Sequence, residues 1–354
     1  MCRGVKWLSV ISVCLLMLAS GVRCQASGDG HAHEKVDVAG LVFGHIGDSY
    51  GWHITTWKGR HVTIPLPCIV RSSTGWHVFM SSKLEHGGVY EGLFLSDENK
   101  IMELMPDGTV DRPFDISITK NVASLVFSAV LLIVLVLSAA RWYRKHDTVQ
   151  EGAPGGFRGL MELLIMMVTE DLIRPSIGEE YYRKYTPYLL TVFFFIFLSN
   201  LLGIVPFFPG GANVTGNIAV TMVLTLFTFF MVNLFADRHY WKEILWPDAP
   251  IFLKFPLPIM QIIEIFGMIS KPFSLMVRLF ANILAGHAMI LGLVAVIFVT
   301  AKMGPVINGS MTVITMIFGV FMDCLELLVA FIQAYVFTML SAVFIGMSRQ
   351  GGHT

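Results

Sequence analysis

The sequence has few charged residues. Asp, Glu, Lys and Arg make up 14% of its 354 residues, whereas a soluble globular protein usually carries about 25%. The 25 basic residues equal the 25 acidic residues, so the formal net charge at pH 7 is zero. We therefore expect no basic surface of the kind that binds nucleic acid. The shortage of charge also argues against a disordered chain and against an ordinary soluble enzyme.

Cysteine is scarce as well, and its spacing excludes two kinds of site. The five cysteines stand apart, at Cys2, Cys14, Cys24, Cys68 and Cys324. No pair has the C-x-x-C spacing of a zinc or redox site, and no disulfide framework is indicated. The phosphate-binding motif GxxxxGKS/T and the zinc-protease motif HExxH are also missing from the sequence. We expect no cofactor, no bound metal and no catalysis by the chain alone.

Apolar residues are abundant. They make up 55% of the sequence, with 27 Phe and 20 Met, and the mean hydropathy is +0.67. This composition is typical of a membrane protein. At the start, residues 1–26 predict a secretory signal peptide, because Arg3 and Lys6 precede an apolar stretch that is too short to span a bilayer. An uncleaved anchor helix is the alternative, and either one exports the segment that follows.

Residues 27–118 predict a small β-rich exported domain. Short alternating runs such as WHITTW and GWHVFM are separated by Gly, Ser and Asp. The segment is rich in histidine: His31, His33, His45, His53, His61, His77 and His86. The first two could touch one metal ion, but no cysteine or carboxylate follows at ligand spacing. A solvated histidine-rich segment is therefore favoured over a metal site.

Residues 119–354 predict an all-α polytopic membrane domain. Uncharged or nearly uncharged runs indicate five membrane-spanning helices, at 122–140, about 186–208, 213–235, 272–300 and 303–348. The last two runs are long for a bilayer about 30 Å thick, so we expect both helices to tilt strongly.

Residues 156–178 predict an amphipathic helix on the cytoplasmic membrane surface rather than a sixth span. The apolar core is only about nine residues long, whereas a span needs about 20. Charged residues flank this core on both sides: Arg158, Glu162, Glu170, Asp171 and Arg174. A helix lying in the interface fits this pattern. The alternative is an amphipathic helix that packs on the rest of the chain.

Basic residues in the loops predict the orientation. Seven lie between the first and second predicted spans, and Arg238, Lys242 and Lys254 lie between the third and fourth. On the opposite side, 207–216 has none and 301–310 has only Lys302. The positive-inside rule then places the N-terminus outside and the C-terminus in the cytoplasm. An exported N-terminal domain requires the same orientation.

Arg278 is the residue that most needs an explanation. It lies inside an apolar run, and Lys271 already marks the boundary of that run. Arginine at a helix centre costs about 2.5–3.5 kcal/mol on insertion scales. Its guanidinium cannot lose its proton to avoid this cost. The alternative is an arginine near a helix end whose side chain extends to the interface.

Further polar residues are spaced to meet Arg278 and one another. His287 follows Arg278 by nine residues, about 13 Å along a helix, and Glu326 precedes Gln333 by seven, about 10 Å. In an antiparallel pair of helices, Glu326 can therefore lie level with His287 and Gln333 level with Arg278. Histidine and carboxylates exchange protons near neutral pH, so His287, Glu326 and Asp323 predict a proton relay. A set of polar residues that only braces the helices is the alternative.

Four stretches, taken in order, resemble subunit a of F-type ATP synthase. They are NLLGIVP (200–206), NVTGNIAVT (213–221), SKPFSLMVRLFANILAGHAMI (270–290) and FIQAYVFTMLSAVFI (331–345). The resemblance covers roughly 120–348 and does not extend to the exported segment. It implies a non-catalytic stator subunit of the cell inner membrane. Protons would pass through two offset half-channels to and from the ring of c subunits.

The resemblance also implies roles for single residues. Arg278 corresponds to the essential arginine that faces the ring, and Asn282 and Gln333 correspond to its polar neighbours. His287 and Glu326 occupy two positions at which the family has an interacting acid and histidine; some members have the acid first, and this chain has the opposite order. Secondary positions toward the cytoplasmic side are Glu264, Lys271 and Ser274. Asp323 is an additional carboxylate that we do not expect to be essential.

The implied partners are the c-ring, the peripheral-stalk subunit b, the rest of the ATP synthase complex and membrane lipid. The alternative function is an ion-coupled secondary transporter with a midplane site at Arg278, His287 and Glu326. Such a transporter predicts inverted repeats between the halves of the chain, and we find none.

Overall fold

A computed structural model describes most of the chain. The described residues are 47–57, 60–84, 88–96, 99–105, 107–145, 155–205, 210–246 and 259–350. The predicted signal peptide lies outside these residues, and so do His31, His33, His45 and His86. The predictions for those residues stay predictions.

Short strands fill the region before the first long helix. They are β1 (Gly51–Trp57), β2 (Arg60–Pro65), β3 (Pro67–Ser72), β4 (Gly75–Met80), β5 (Leu93–Leu95), β6 (Ile101–Leu104), β7 (Val110–Asp111) and β8 (Phe114–Asp115). Their pairing is antiparallel, in the orders β1-β2, β4-β3-β8 and β5-β6-β7. Strand β3 alternates between buried and more exposed positions, as a sheet with one buried face requires. The predicted β-rich character is therefore present, whereas export of this region stays a prediction.

A small apolar core lies between the strands. It consists of Cys68, Val70, Phe79, Leu84, Leu93 and Ile101. Cys68 is fully buried, and this burial raises the pKa of its thiol to about 11. A thiol with such a pKa stays protonated near neutral pH. Cys68 is therefore a structural residue that alkylating reagents reach only after unfolding.

The strand region continues directly into the first long helix. After β8, the backbone N–H of Ile116 donates to the carbonyl of Ile69 at 2.9 Å, and that of Ile118 donates to the carbonyl of Pro67 at 3.1 Å. The chain thus stays hydrogen-bonded along β3 until two residues before the helix. No flexible linker separates the strands from this helix.

The start of this helix is also capped by the strand region. The backbone N–H of Lys120 donates to the carbonyl of Ser49 at 2.8 Å. The backbone N–H of Asn121 donates to the Asp48 carboxylate at 3.1 Å. Because the first N–H groups of a helix have no partner inside it, these two bonds stabilise its start.

The rest of the described chain is helical. The helices are α1 (Lys120–Lys145), α2 (Phe157–Met166), α3 (Arg174–Ile177), α4 (Tyr182–Ile204), α5 (Ile218–Leu234), α6 (Arg238–Leu245), α7 (Ile259–Thr300) and α8 (Pro305–Gln350). A π-helical segment, Met167–Ile173, joins α2 to α3. The chain is therefore mostly helical, in agreement with the predicted all-α membrane domain.

Among the described residues, four helices are long and apolar enough to cross a membrane: α1, α4, α7 and α8. The remaining predicted span corresponds to α5, which has 17 residues and so a length of about 25 Å. The total of five spans therefore stays a prediction. Helices α7 and α8 have 42 and 46 residues, which confirms that the last two are long. Their tilt stays a prediction.

The predicted amphipathic helix at 156–178 is helical from Phe157 to Ile177, but not uniformly α-helical. It consists of α2, the π-helical segment and α3, and Gly178 ends it in a left-handed conformation at φ 94°. Val168 and Leu172 are buried in the helical core, while Leu160 and Leu163 are exposed. The segment therefore packs on the rest of the chain along one side. Its location at the membrane surface stays a prediction.

The described residues form two compact units. The first comprises the residues up to Leu125 together with 202–212 and 285–326, and the second comprises 126–201, 213–284 and the residues from 327 onward. Helix α4 lies at the centre of the second unit. Its residues Tyr185, Leu189, Phe193 and Ile196 are nearly or fully buried, and they recur every three or four positions.

We predict that Glu103 is the main polar support of the strand region. Its carboxylate is buried and accepts the backbone N–H of Ser73 at 3.1 Å and also the Ser73 hydroxyl. Replacing Glu103 with Ala removes the acceptor and should lower the free energy of unfolding of this region by about 2–3 kcal/mol. The measurement is alkylation of Cys68 in the full-length protein over a urea series, quantified by peptide mass spectrometry.

Glu91→Ala is the matched control. Glu91 pairs with His77, but its side chain is 51% exposed, so its loss should cost less than about 1 kcal/mol. Equal alkylation midpoints for the two variants would contradict the role of Glu103.

Candidate functional site

Helix α7 carries Arg278 on a face that points away from the protein core. Leu275, Leu279 and Ile283 recur every four residues on α7 and are buried in the core of the second unit. Because these apolar side chains fix the rotation of α7, the residues on its neighbouring face stay exposed. The apolar spacing in the sequence thus determines where the polar residues point.

The exposed face of α7 carries what we call the polar stripe, namely Lys271, Ser274, Arg278 and Asn282. All four side chains are exposed in this chain, and their spacing of three or four residues aligns them along the helix. Among the described residues, Arg278 has no hydrogen bond and no ion pair. Arg278 is also residue 20 of the 42 in α7, so it is not near either helix end.

His287 and Glu326 are in direct contact within the first unit. Nδ1 of His287 contacts Oε1 of Glu326 between α7 and α8. Only 6% of the Glu326 side chain and 17% of the His287 side chain are exposed. The antiparallel arrangement expected from the sequence predicts this contact, and the structure contains it.

The contact between His287 and Glu326 has the distance of an ion pair but not the geometry of a hydrogen bond. Both ring nitrogens of His287 and Oε1 of Glu326 are buried without a hydrogen-bond partner. An imidazole and a carboxyl group held this close can exchange a proton. Asp323 precedes Glu326 by three residues on α8 and is partly buried.

Two glycines that sequence reasoning missed lie against this pair. A Cβ atom at Gly286 would lie 3.4 Å from Oε1 of Glu326, and one at Gly203 would lie 3.5 Å from Nε2 of His287. Glycine inside a helix costs about 0.5–1 kcal/mol relative to alanine. At these distances a Cβ atom would be in ordinary van der Waals contact, so both glycine backbones lie next to the pair. The sequence did contain a signal for them, because Gly286 directly precedes His287 and Gly203 is the glycine of NLLGIVP.

Gln333 lies in the second unit on α8, and 8% of it is exposed. Among the described residues, it has no hydrogen bond to Arg278 or to another side chain. The structure therefore does not join Gln333 to Arg278 as it joins His287 to Glu326. Of the secondary positions, Glu264 is partly exposed near the start of α7, and the Lys271 ammonium lies 6.0 Å from the ring centre of Phe344.

A further polar link, also missed by sequence reasoning, holds α4 to α8. The hydroxyl of Thr215 donates to Oδ1 of Asn200, and Nδ2 of Asn200 donates to the carbonyl of Ala330 at 3.4 Å. Asn200 and Thr215 are both buried in the second unit. A buried asparagine in an apolar run was the available signal, because such a residue needs hydrogen-bond partners. Its partners could not be read from the sequence.

Two different families match the chain, and the boundary between their matches lies at the start of α1. Residues 122–346 match the family described as ATP synthase A chain. Residues 41–121 match a separate family described as a domain of unknown function (DUF8433). The stretch that carries the polar stripe, the His287–Glu326 pair and Gln333 lies entirely in the first match.

Curated relatives align with about 70% of the chain. ATP synthase subunit a 2 of Chlorobaculum tepidum is 40% identical over 71% of this chain and 70% of the relative. ATP synthase subunit a of Chloroherpeton thalassium is 39% identical over 69% and 72%. The corresponding protein of Myxococcus xanthus is 39% identical over 70% and 77%. The chain therefore belongs to the family of ATP synthase subunit a, a non-catalytic membrane subunit of the ATP synthase complex, and a separate domain precedes this part.

Proposed function

We propose that the chain conducts protons through two offset half-channels to and from the ring of c subunits, and so couples proton flow to rotation. The observation that carries this proposal is Arg278, which lies exposed in the middle of a membrane-spanning helix and has no ion pair among the described residues. A permanent charge at this place costs about 2.5–3.5 kcal/mol. An anionic group on another subunit would offset that cost.

In this proposal, a proton enters from outside past Glu326, His287 and Asn282 and neutralises a carboxylate of the ring. The neutral carboxylate can then face lipid while the ring turns. After nearly one revolution it reaches the second half-channel and releases its proton to the cytoplasm. The close contact of His287 and Glu326 supports the entry path, because it joins two groups that exchange protons.

Arg278 has two tasks in this proposal. Its guanidinium attracts the deprotonated ring carboxylate, and its fixed charge prevents protons from passing directly between the half-channels. Asn282 and Gln333 keep the surroundings of the arginine polar. Lys271 and Ser274 continue the polar stripe toward the cytoplasmic half-channel, to which we also assign Glu264. Asp323 is an additional carboxylate beside the entry path and is not required.

The proposed membrane arrangement follows from the charges in the loops. We assign a signal peptide to 1–26, an exported periplasmic domain to 27–118 and a membrane domain with five spans to 119–354. The C-terminus is cytoplasmic, in the cell inner membrane, and the peripheral-stalk subunit b is a further partner. No observation on the described residues favours the alternative function, an ion-coupled secondary transporter.

Replacing Arg278 with Ala should reduce proton-driven ATP synthesis to background and add a passive proton leak, because no fixed charge then separates the half-channels. Arg278→Lys should also fail, since a buried lysine can lose its proton and lacks the planar guanidinium. Both rates are measured in vesicles that contain the assembled complex. Met289→Ala, at an exposed apolar position of the same helix, is the control and should retain synthesis. Normal synthesis without a leak in Arg278→Ala would refute the role of Arg278.

Exchanging the two members of the buried pair tests the relay. Glu326→Gln alone should slow synthesis at least about tenfold, because a proton-exchanging group is lost. The double variant His287→Glu with Glu326→His restores one acid and one histidine in contact. It should therefore synthesise ATP faster than Glu326→Gln does, in complexes that assemble equally well. Wild-type proton flux in Glu326→Gln would remove this residue from the path.

Deleting 31–115 behind a functional signal peptide should leave passive proton conduction unchanged, because none of the proposed path residues lies there. The deletion removes the cap that Ser49 and Asp48 form on α1. The loss of a cap costs only about 1 kcal/mol, so the complex should still assemble. Loss of conduction in an assembled deletion variant would assign the domain to the channel entrance.

A further inference from the structure

A concave basic surface lies where α1 and α2 meet, in the second unit. Its volume is about 630 Å³, and its basic lining residues are Arg141 and Lys145 of α1 and Arg158 of α2. Tyr143 of α1 lies near Glu162 of α2 at this place. We call the surface the basic groove.

The basic groove has an apolar wall as well as a charged end. Val134 and Leu137 line it from α1 and are 55% and 47% exposed. On α1, residues 134, 137, 141 and 145 follow one another at intervals of three or four, so they share one face. The groove therefore passes from apolar to basic along a single helix face. Its volume lies in the range of small-molecule sites.

The position of the groove along α1 corresponds to the edge of a bilayer. The uncharged run 122–140 has 19 residues and is about 29 Å long as a helix, close to the thickness of the hydrocarbon core. Arg141 and Lys145 follow this run directly and thus lie at the level of lipid headgroups. Trp142 also lines the groove, and tryptophan is enriched at this level of membrane proteins.

The charges of the groove match an anion. Among the described residues, none of Arg141, Lys145 and Arg158 forms an ion pair, and no acidic residue lines the groove. A solvated cluster that only sets membrane orientation would need neither a concave shape nor an apolar wall. Basic pockets between membrane helices bind anionic lipid headgroups.

We propose that the basic groove binds an anionic glycerophospholipid. The phosphate lies among Arg141, Lys145 and Arg158, and the acyl chains lie along Val134 and Leu137. The shared chemistry is that of a phosphate, and the apolar wall selects a membrane lipid over free phosphate. The proposal rests on membership of a membrane-protein family and not on the proton path, because none of these residues belongs to that path.

The test is native mass spectrometry of the full-length protein released from detergent micelles that contain phosphatidylglycerol or phosphatidylcholine. The wild type should retain phosphatidylglycerol and not phosphatidylcholine. The triple variant Arg141→Gln, Lys145→Gln and Arg158→Gln should bind phosphatidylglycerol on the order of 100-fold more weakly, since each basic residue near the membrane surface contributes about fivefold.

A second triple variant is the matched control. Arg144→Gln, Arg238→Gln and Lys242→Gln remove the same amount of charge from exposed positions that do not line the groove. This variant should retain phosphatidylglycerol as the wild type does. Equal losses in the two triple variants would show that total charge, and not the groove, attracts the lipid, and would overturn the proposal.

Two further arms identify the occupant. Inorganic phosphate at the same concentration should not displace phosphatidylglycerol, and displacement would show that the groove is a simple anion site. The measurement is then repeated on the assembled ATP synthase complex, in which the wild-type subunit should still retain the lipid. If assembly removes the lipid and protects Lys145 from acylation, the groove is an interface with another subunit and the proposal fails.

Discussion

Arg278 places a permanent positive charge in the middle of a long apolar helix, where neither water nor loss of a proton can remove its cost. Arg278 cannot become neutral, so its side chain must face a surface that compensates the charge. The buried residues Leu275, Leu279 and Ile283 turn it away from the core of its own chain. In a soluble protein, water would solvate such a charge. In a bilayer, water is not available for this, and in the proposed function an anionic group of a second protein compensates the charge.

The sequence predicts the helical membrane part well because burial in lipid demands long apolar runs. It also allows the contact of His287 with Glu326, since the helix rise gives similar spacings to the polar residues of two antiparallel helices. It predicts less about α5. The run 213–235 reads as a full span, but the side chain of Asn217 accepts the backbone N–H of Ala219 at 3.0 Å and starts the helix at residue 218. Local capping chemistry thus overrides hydropathy at this boundary.

Contacts between distant segments were beyond prediction. The closeness of Gly203 and Gly286 to the buried pair depends on how three helices approach one another, and so does the link from Asn200 to Ala330. Neither a sequence motif nor the spacing of apolar residues specifies the distances between helices. The π-helical segment Met167–Ile173 has the same origin. A widened turn changes the direction of the side chains that follow, and only packing decides where this happens.

The hydrogen bonds that run from β3 through Ile116 and Ile118 to the start of α1 have a mechanical consequence. Because of these bonds, no flexible linker lies between the strand region and the first membrane helix. A molecule that pulled on this region would therefore transmit the force directly to the start of α1. The domain that precedes the family match is therefore coupled to the first turn of α1 through the backbone itself, so that a displacement of its strands acts on the start of this helix.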